Sequence, residues 1–257
     1  MNDRNFDDLV YRFEKNVYSG LKGEIRLRIL QRDLEEFVPE IFKEEPLNIL
    51  DAGGGGGQVA CYLASRGHRV ILCDISAAML EKSRQLIAEK NLTSLVETKH
   101  QSIQSYCEES RDAFDVITCH AVLEWTEQPQ EILTALLGRL KTGGAMSLSY
   151  YNIHGLVFKN LLRTNYKKLR NKTWAGRKGS LTPPSPLDPV VVNKWLSALP
   201  VENVCESGIR VFQDYVFDVE NRSRDSESLI EMELEYSRLE PYKYLGRYIH
   251  VLSRKVG

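Results

Sequence analysis

The chain has 257 residues, of which 42% are hydrophobic and 27% charged, with a formal net charge of −1. That composition suits one folded domain and excludes a disordered or fibrous chain, and near-neutral charge gives no overall reason to bind a polyanion. No run of about 18 apolar residues occurs, and the charged N-terminus MNDRNFDDLVYRFEKN lacks the apolar stretch of a secretory signal, so no membrane partner and a cytoplasmic address are expected.

Residues 5–42 read as helical: Ile25, Ile29, Leu30, Leu34, Phe37, Val38 and Ile41 recur at helical spacing before Pro46. LNILDAG (47–53) is a short apolar strand running into a glycine loop, followed by a helix over about 58–65. RVILCDIS (69–76) is a second strand, and Ser76 is placed to cap the next helix, which reaches about Lys90. LVETKH (95–100) and FDVITCH (114–120) supply strands three and four, with QSIQSYCEES able to form a short helix between them. A helix carrying Ile132, Leu133, Leu136, Leu137 and Leu140 leads to a fifth strand in KTGGAMSLSYY (141–151). Alternation of this kind predicts an α/β fold with a doubly wound, mostly parallel sheet.

Beyond 151 the pattern changes. A helix is expected in GLVFKNLLRTNYKKL, then a basic Gly/Ser/Pro-rich loop, a helix from about Pro189 to Leu199, a strand in GIRVFQDYV, an acidic helix near 224–239, and a last strand in GRYIHVLSRK. The final two strands would complete a seven-stranded sheet with an antiparallel edge. One domain is expected, divided into an N-terminal helical cap (1–45), a cofactor-binding core (46–151), a basic substrate-side insertion (152–200) and C-terminal strands with an acidic helix (201–257). Cys61, Cys73, Cys107, Cys119 and Cys205 show no zinc-ligand spacing, so they read as buried small hydrophobes in a reducing compartment, and no metal is expected.

Charge is segregated along the chain. From Ile132 to Leu187 there is no acid against ten cations: Arg139, Lys141, Lys159, Arg163, Lys167, Lys168, Arg170, Lys172, Arg177 and Lys178. The last eight, with Tyr166 and Trp174 among them, form a candidate RNA-binding segment in which cations meet phosphates and an aromatic ring stacks on an unpaired base. A solvated basic loop is the alternative.

DAGGGGGQ sets Asp51, Gly53, Gly55 and Gly57 between a strand and a helix, where glycine lets the backbone approach a ligand closely. Asp74 ends the next strand 17 residues after Gly57, where a carboxylate can accept from both ribose hydroxyls of a nucleoside. A nicotinamide site would want GxGxxG/A, and the frame starting at Gly53 has Gln58 in the sixth place.

The loop, Asp74, Phe114-Asp115-Val116-Ile117, Leu123-Glu124-Trp125 and Leu140-Lys141-Thr142-Gly143-Gly144 together resemble the ordered motifs of class I S-adenosylmethionine-dependent methyltransferases. MNDRNFDD, LKGEIRLRIL, VILCDISAAM, CHAVLEW, SYYNIHGL, GIRVFQDY and LEPYKYLGRYIHV carry the resemblance from end to end into a bacterial family that methylates wobble uridines of tRNA. The resemblance implies methyl transfer to the carboxylate of 5-carboxymethoxyuridine, with the tRNA anticodon stem-loop as partner. It maps cofactor contacts onto Arg26, Gly53, Gly54, Asp74, Ile103 and His120, to which the loop reading adds Asp51 and Gly55. In two places the match is loose: five glycines run where an acid is expected in the fourth place, and the 159–178 segment aligns poorly.

A carboxylate with an ordinary pKa of about 4 is ionised at pH 7, so transfer to it requires no general base. A cation or hydroxyl should instead hold one oxygen while the other attacks. Arg210, Tyr151 and His154 are the candidates for that catalytic role, with Tyr150 and Asn152 also near the substrate end of strand five. A methyltransferase acting on a small carboxylic acid, a non-catalytic nucleotide-binding module and a nicotinamide oxidoreductase are the alternatives.

Overall fold

The computed structural model describes residues 3–10, 20–176, 180–218, 220–221 and 224–257. Seven strands form one sheet in the order β3-β2-β1-β4-β5-β7-β6. They are β1 (Asn48–Ala52), β2 (Arg69–Asp74), β3 (Val96–His100), β4 (Phe114–His120), β5 (Leu140–Tyr151), β6 (Val201–Ile209) and β7 (Tyr248–Lys255). The first five pair in parallel, while β7 runs antiparallel to both β5 and β6. The doubly wound, mostly parallel seven-stranded fold is therefore the one expected from the sequence.

Side chains alternate across the sheet and bury on both faces. Ile49, Val116, Ala145 and Leu252 pack with Leu34 of α1 (Gly20–Phe37), with Val38 just after it, and with Val59 of α2 (Gln58–Ala64). Leu50, Ile117, Leu148 and Val251 face the other layer, where α5 (Pro129–Arg139) contributes Leu133 and Leu136 and α8 (Pro189–Ser197) contributes Val192 and Leu196. Each fully buried aliphatic side chain contributes about 1.5–3 kcal/mol, so the strands are held by both faces rather than by their ladders alone. All five cysteines are buried and free.

Local signals set the helix starts. Ser76 accepts from the Met79 N–H at 3.1 Å and caps α3 (Ala77–Glu89), and Asp188 caps α8 through the Val190 N–H, with Pro189 behind it. The optional helix between strands three and four is present as α4 (Ile103–Glu109), capped by Ser102.

Three expectations need correction. Residues 5–9 are not helical but irregular chain and a turn, residues 11–19 lie outside the described residues, and the described helix Gly20–Phe37 carries the expected apolar face. The helix expected over 155–169 is two, α6 (Ile153–Leu162) and α7 (Tyr166–Arg170), broken at Thr164, whose φ is +55°. The strand expected at 208–216 lies earlier, as β6, and ends at Ile209 because Arg210 turns to φ +60° and the next three residues point their N–H groups at one carboxylate, that of Glu233. A charged edge strand such as VENVCESGI carries little apolar alternation, which hid it. The last helix, α9 (Ser226–Tyr236), supplies Glu233.

Candidate active site

The carboxyl ends of β1, β2 and β4 open into a cleft lined by Gly53, Gly54, Gly55, Asp74, Ile103 and His120, among others. This is where open α/β sheets take ligands. The glycine loop needs its composition: Gly53 sits at φ +70° with Val122 against the place of a Cβ, and a Cβ on Gly54 would lie 2.5 Å from Asp51 Oδ2 and 2.7 Å from Leu72. The loop is tied to the second strand, since the Gly53 N–H donates to the Cys73 carbonyl at 2.8 Å and the Gly55 N–H to Asp74 Oδ2 at 2.9 Å. The other Asp74 oxygen accepts from the Ser76 N–H at 2.8 Å, so the carboxylate is rigidly aimed and keeps lone pairs for further donors. Burial raises its pKa and those two N–H groups oppose the rise.

Asp51 belongs beneath the loop, not in the cleft. It is buried, takes a 2.6 Å hydrogen bond from the Thr118 hydroxyl, and burial pushes its pKa up to about 6. Arg26 is likewise buried, on α1, with its guanidinium 4.1 Å from the Tyr248 ring centroid. Its charge is felt by both His120 and Glu124. Glu124 accepts from the Tyr151 N–H, and burial lifts its pKa to about 7.

Sequence reasoning missed the outer wall. Asp3, Arg4 and Phe6 line the cleft, and the segment is pinned on both sides of it. Asp3 accepts from the Glu127 N–H at 3.0 Å, and the Arg4 N–H donates to the Trp125 carbonyl at 3.0 Å. Phe6 stacks edge-on with Trp125 at 4.9 Å, while Asp7 accepts from the Ser76 hydroxyl at 2.6 Å. Trp125, of the Leu123-Glu124-Trp125 motif, also lines the cleft. The single aromatic Phe6 between polar Asn5 and Asp7 was the available signal, and the expectation of a helix there concealed it.

A second cluster lies beyond the Tyr248 ring, which Arg210 also approaches, at 5.6 Å. Asp214 accepts a 2.7 Å bond from Arg247 Nε, and Arg210 and Lys159 each stand 3.7 Å from it. Despite burial, Arg210, Arg247 and Lys159 hold the Asp214 carboxyl far below its ordinary value. Lys159 shows the opposite balance: burial drives its pKa down to about 7 against the pull of Asp214, and Arg247, Arg163 and Lys22 push it the same way. Three cations thus share Asp214, while Glu233, which holds the turn through three N–H groups, feels the charge of Arg210. Arg210 is nearly buried, and its Nε has no hydrogen-bond partner among the described residues.

The remaining candidates separate. Tyr151 is buried, and its hydroxyl accepts from Arg247 Nη1 at 2.8 Å, so it braces the cluster. His154 turns away from the cleft to face Asp188 at 3.4 Å on the surface. Tyr150 lies in the core, and Asn152 caps α6 while donating to the Tyr244 and Gly246 carbonyls. Lys159, expected on the RNA face, is drawn into the cation cluster. Arg163, Lys167, Arg170 and Lys172 are exposed and Lys168 is half-buried, along the end of α6, α7 and the following turn. Arg177 and Lys178 lie outside the described residues.

The cleft's chemistry fits S-adenosylmethionine. The loop admits a ligand where a Cβ would not go, Asp74 keeps acceptor capacity for ribose hydroxyls, and His120 presents a buried Nδ1 without a partner among the described residues. No helix of the described residues is long and apolar enough to cross a membrane.

Comparison with known proteins agrees. Residues 50–148 match the family model described as "Methyltransferase domain". The chain is similar to the tRNA 5-carboxymethoxyuridine methyltransferase of Escherichia coli K12, at 39% identity over 99% of this chain and 97% of that protein. A ubiquinone biosynthesis O-methyltransferase of Schizosaccharomyces pombe is 30% identical over 49% of this chain and 47% of its own. In fold the chain is similar to the magnesium protoporphyrin IX methyltransferase of Synechocystis PCC 6803 with bound SAH, with a TM-score of 0.64 and 13% identity over 97% of this chain and 95% of that one. By sequence, cleft and fold alike, the chain belongs to the tRNA 5-carboxymethoxyuridine methyltransferase family of S-adenosylmethionine-dependent class I methyltransferases.

Proposed function

We propose that this chain methylates the carboxylate of 5-carboxymethoxyuridine at the tRNA wobble position, recognised on the anticodon stem-loop, to give the methyl ester. The observation that carries the reading is the cation cluster beside the cofactor cleft. Buried charge without its counterion costs several kcal/mol, and here Arg210, Arg247 and Lys159 outnumber the acids Asp214 and Glu233. Burial is the main cause of the depressed pKa of Lys159, and Arg247, Arg163 and Lys22 add to it. A ligand carboxylate would relieve the excess of cations. The modified uridine in the relative's name carries such a group, and the name supplies the tRNA.

Bound S-adenosylmethionine supplies an electrophilic methyl group. Asp74 accepts the ribose hydroxyls, Gly53, Gly54, Gly55 and Ile103 shape the walls, Arg26 is the cation for the methionyl carboxylate, and Asp51 holds the loop from below. The substrate carboxylate, ionised at neutral pH, needs no proton removed. Arg210 holds one of its oxygens through the unpartnered Nε–H and leaves the other to attack, so positioning lowers the barrier. Tyr151 fixes Arg247, Arg247 holds Asp214, and Asp214 in turn faces Arg210.

Arg163, Lys167, Lys168, Arg170 and Lys172 meet RNA phosphates, and exposed Tyr166 offers a ring to an unstacked base. In domain terms, 46–151 is the cofactor core, and the substrate side takes residues from both 152–200 and 201–257.

The test is transfer of label from radiolabelled S-adenosylmethionine into tRNA drawn from cells able or unable to make 5-carboxymethoxyuridine. Label confined to the competent tRNA and released by mild alkali supports the ester reading. Label in both pools rejects the carboxylate, and label in neither, with cofactor bound, rejects tRNA as substrate in favour of a small carboxylic acid.

A further inference from the structure

Behind His120 lies a buried chain of polar groups that the transfer reaction does not itself call for. His120 Nε2 is 2.8 Å from the Ser147 hydroxyl, and that oxygen is 2.8 Å from His250 Nε2. His250 Nδ1 is 2.7 Å from Asp33 Oδ2. The four residues come from β4, β5, β7 and α1; Asp33, Ser147 and His250 are fully buried, and the His120 and His250 rings meet edge-on at 5.8 Å. At the outer end Asp33 Oδ1 takes two guanidinium groups, Arg32 and Arg238, each with a closest contact of 2.7 Å.

Proton directions follow from the two ends. At the outer end, burial works against ionisation of Asp33, but the bonds from His250 and Arg32 hold its carboxyl far below the ordinary value, so it accepts and His250 Nδ1 donates. At the inner end, His120 Nδ1 is buried without a partner among the described residues. A buried N–H left unpaired is rarer than a bare lone pair, so the His120 proton sits on Nε2 and is donated to Ser147. The Ser147 hydroxyl, accepting there, gives its one proton to His250 Nε2.

Resting on the reading of this cleft as the cofactor site, we propose that Asp33, His250 and Ser147 are positioning residues that hold His120 in its Nε2–H tautomer, so that Nδ1 accepts a hydrogen bond from the ammonium group of S-adenosylmethionine. Neither alternative state serves. An imidazolium would repel a ligand carrying both a sulfonium and an ammonium, and the opposite tautomer would aim a donor at a donor. Burial keeps the ring neutral, but neutrality leaves the tautomer open, and the relay decides it. Losing a hydrogen bond to a charged group corresponds to about a tenfold to hundredfold weaker cofactor.

The experiment is long-range ¹H–¹⁵N correlation on the full chain with ¹⁵N-labelled histidine, together with calorimetric cofactor titration. Wild-type protein should show His120 protonated at Nε2 and bare at Nδ1, with the Nδ1 resonance moving when S-adenosylmethionine is added. Ser147→Ala should redistribute the tautomer and raise Kd about tenfold or more, and Ser147→Thr, which keeps the hydroxyl, should restore both. A wild-type His120 protonated at Nδ1, or a folded Ser147→Ala variant with unchanged tautomer and Kd, overturns the proposal. So does a titration in which the Gly55 amide shifts and His120 Nδ1 does not. If instead the Gly55 amide also stays still while calorimetry reports binding, the cofactor reading of the cleft is what fails, and the ammonium contact fails with it.

Discussion

The cofactor cleft, at the ends of β1, β2 and β4, is shaped mostly by backbone: two glycines that admit no Cβ, two N–H groups that aim Asp74, and a peptide segment pinned across the mouth. The cation cluster, at the ends of β5, β6 and β7, is made of side chains: Lys159 from α6, Arg210 and Asp214 from the turn after β6, Arg247 before β7, and Tyr151 closing β5. A backbone site is set once the loop folds and reads a ligand common to many enzymes. A side-chain site is set by charge balance, and through it one fold can be directed to one substrate. The two should therefore fail differently when altered.

The largest separation is expected at Arg210. Truncating one partner of a buried charge pair costs about 2–5 kcal/mol, so Arg210→Met should lower kcat/KM for the RNA substrate about a hundredfold or more. Cofactor affinity by calorimetry should stay within about twofold. An equal loss on both sides would erase the distinction between the two regions. Asp74→Ala is the mirror case: two lost ribose contacts, each of about 1.5 kcal/mol for a charged acceptor, should weaken the cofactor about a hundredfold with RNA binding unchanged in a filter assay. Gly54→Ala adds to this a fold cost of about 1–3 kcal/mol by overpacking against Asp51 and Leu72, readable as a lower denaturation midpoint.

A smaller effect should appear with pH. Lys159 is held at about 7, below its ordinary 10.5, so it is charged below pH 7 and neutral above. As pH rises through about 7 the cluster loses a cation, and kcat/KM for the carboxylate substrate should fall, by up to about tenfold, with no matching loss of cofactor affinity. Lys159→Arg should flatten that slope. The same shift has a stability sign: the folded chain holds fewer protons than the unfolded one between about 7 and 10.5, so this residue makes stability rise with pH across that window. The mildest change is expected on the outer face, where Lys167→Ala combined with Lys172→Ala should weaken tRNA binding a few-fold and reduce the salt slope by about 2.

How much of this could be read from the chain depended on contiguity. Asp51 to Gly57 form one contiguous motif whose backbone makes the loop, Asp74 ends the very next strand, and the strands holding them are buried on both faces, so their apolar runs are plain. The wall formed by Asp3, Arg4 and Phe6 was hidden because its hydrogen bonds go to residues about 70 to 125 positions away. Lys159 looked like one more cation of a basic run, and only the fold brings it to Asp214. Arg210 was expected within a strand, GIRVFQDYV, whereas it follows the edge strand in a left-handed turn. His154 had the right neighbours in sequence and the wrong direction, because the first turn of α6 points it at Asp188.

The most direct test uses two synthetic anticodon stem-loops, one with 5-carboxymethoxyuridine at the wobble position and one with the corresponding amide, each incubated with S-adenosylmethionine and wild-type or Arg210→Met protein. The account predicts that wild-type protein adds one methyl to the carboxylate RNA, seen by nucleoside mass and lost on mild alkaline treatment, leaves the amide RNA unchanged, and loses most of the first activity with Arg210. Methylation of both RNAs at similar rates, or a methyl that survives alkali, would contradict it.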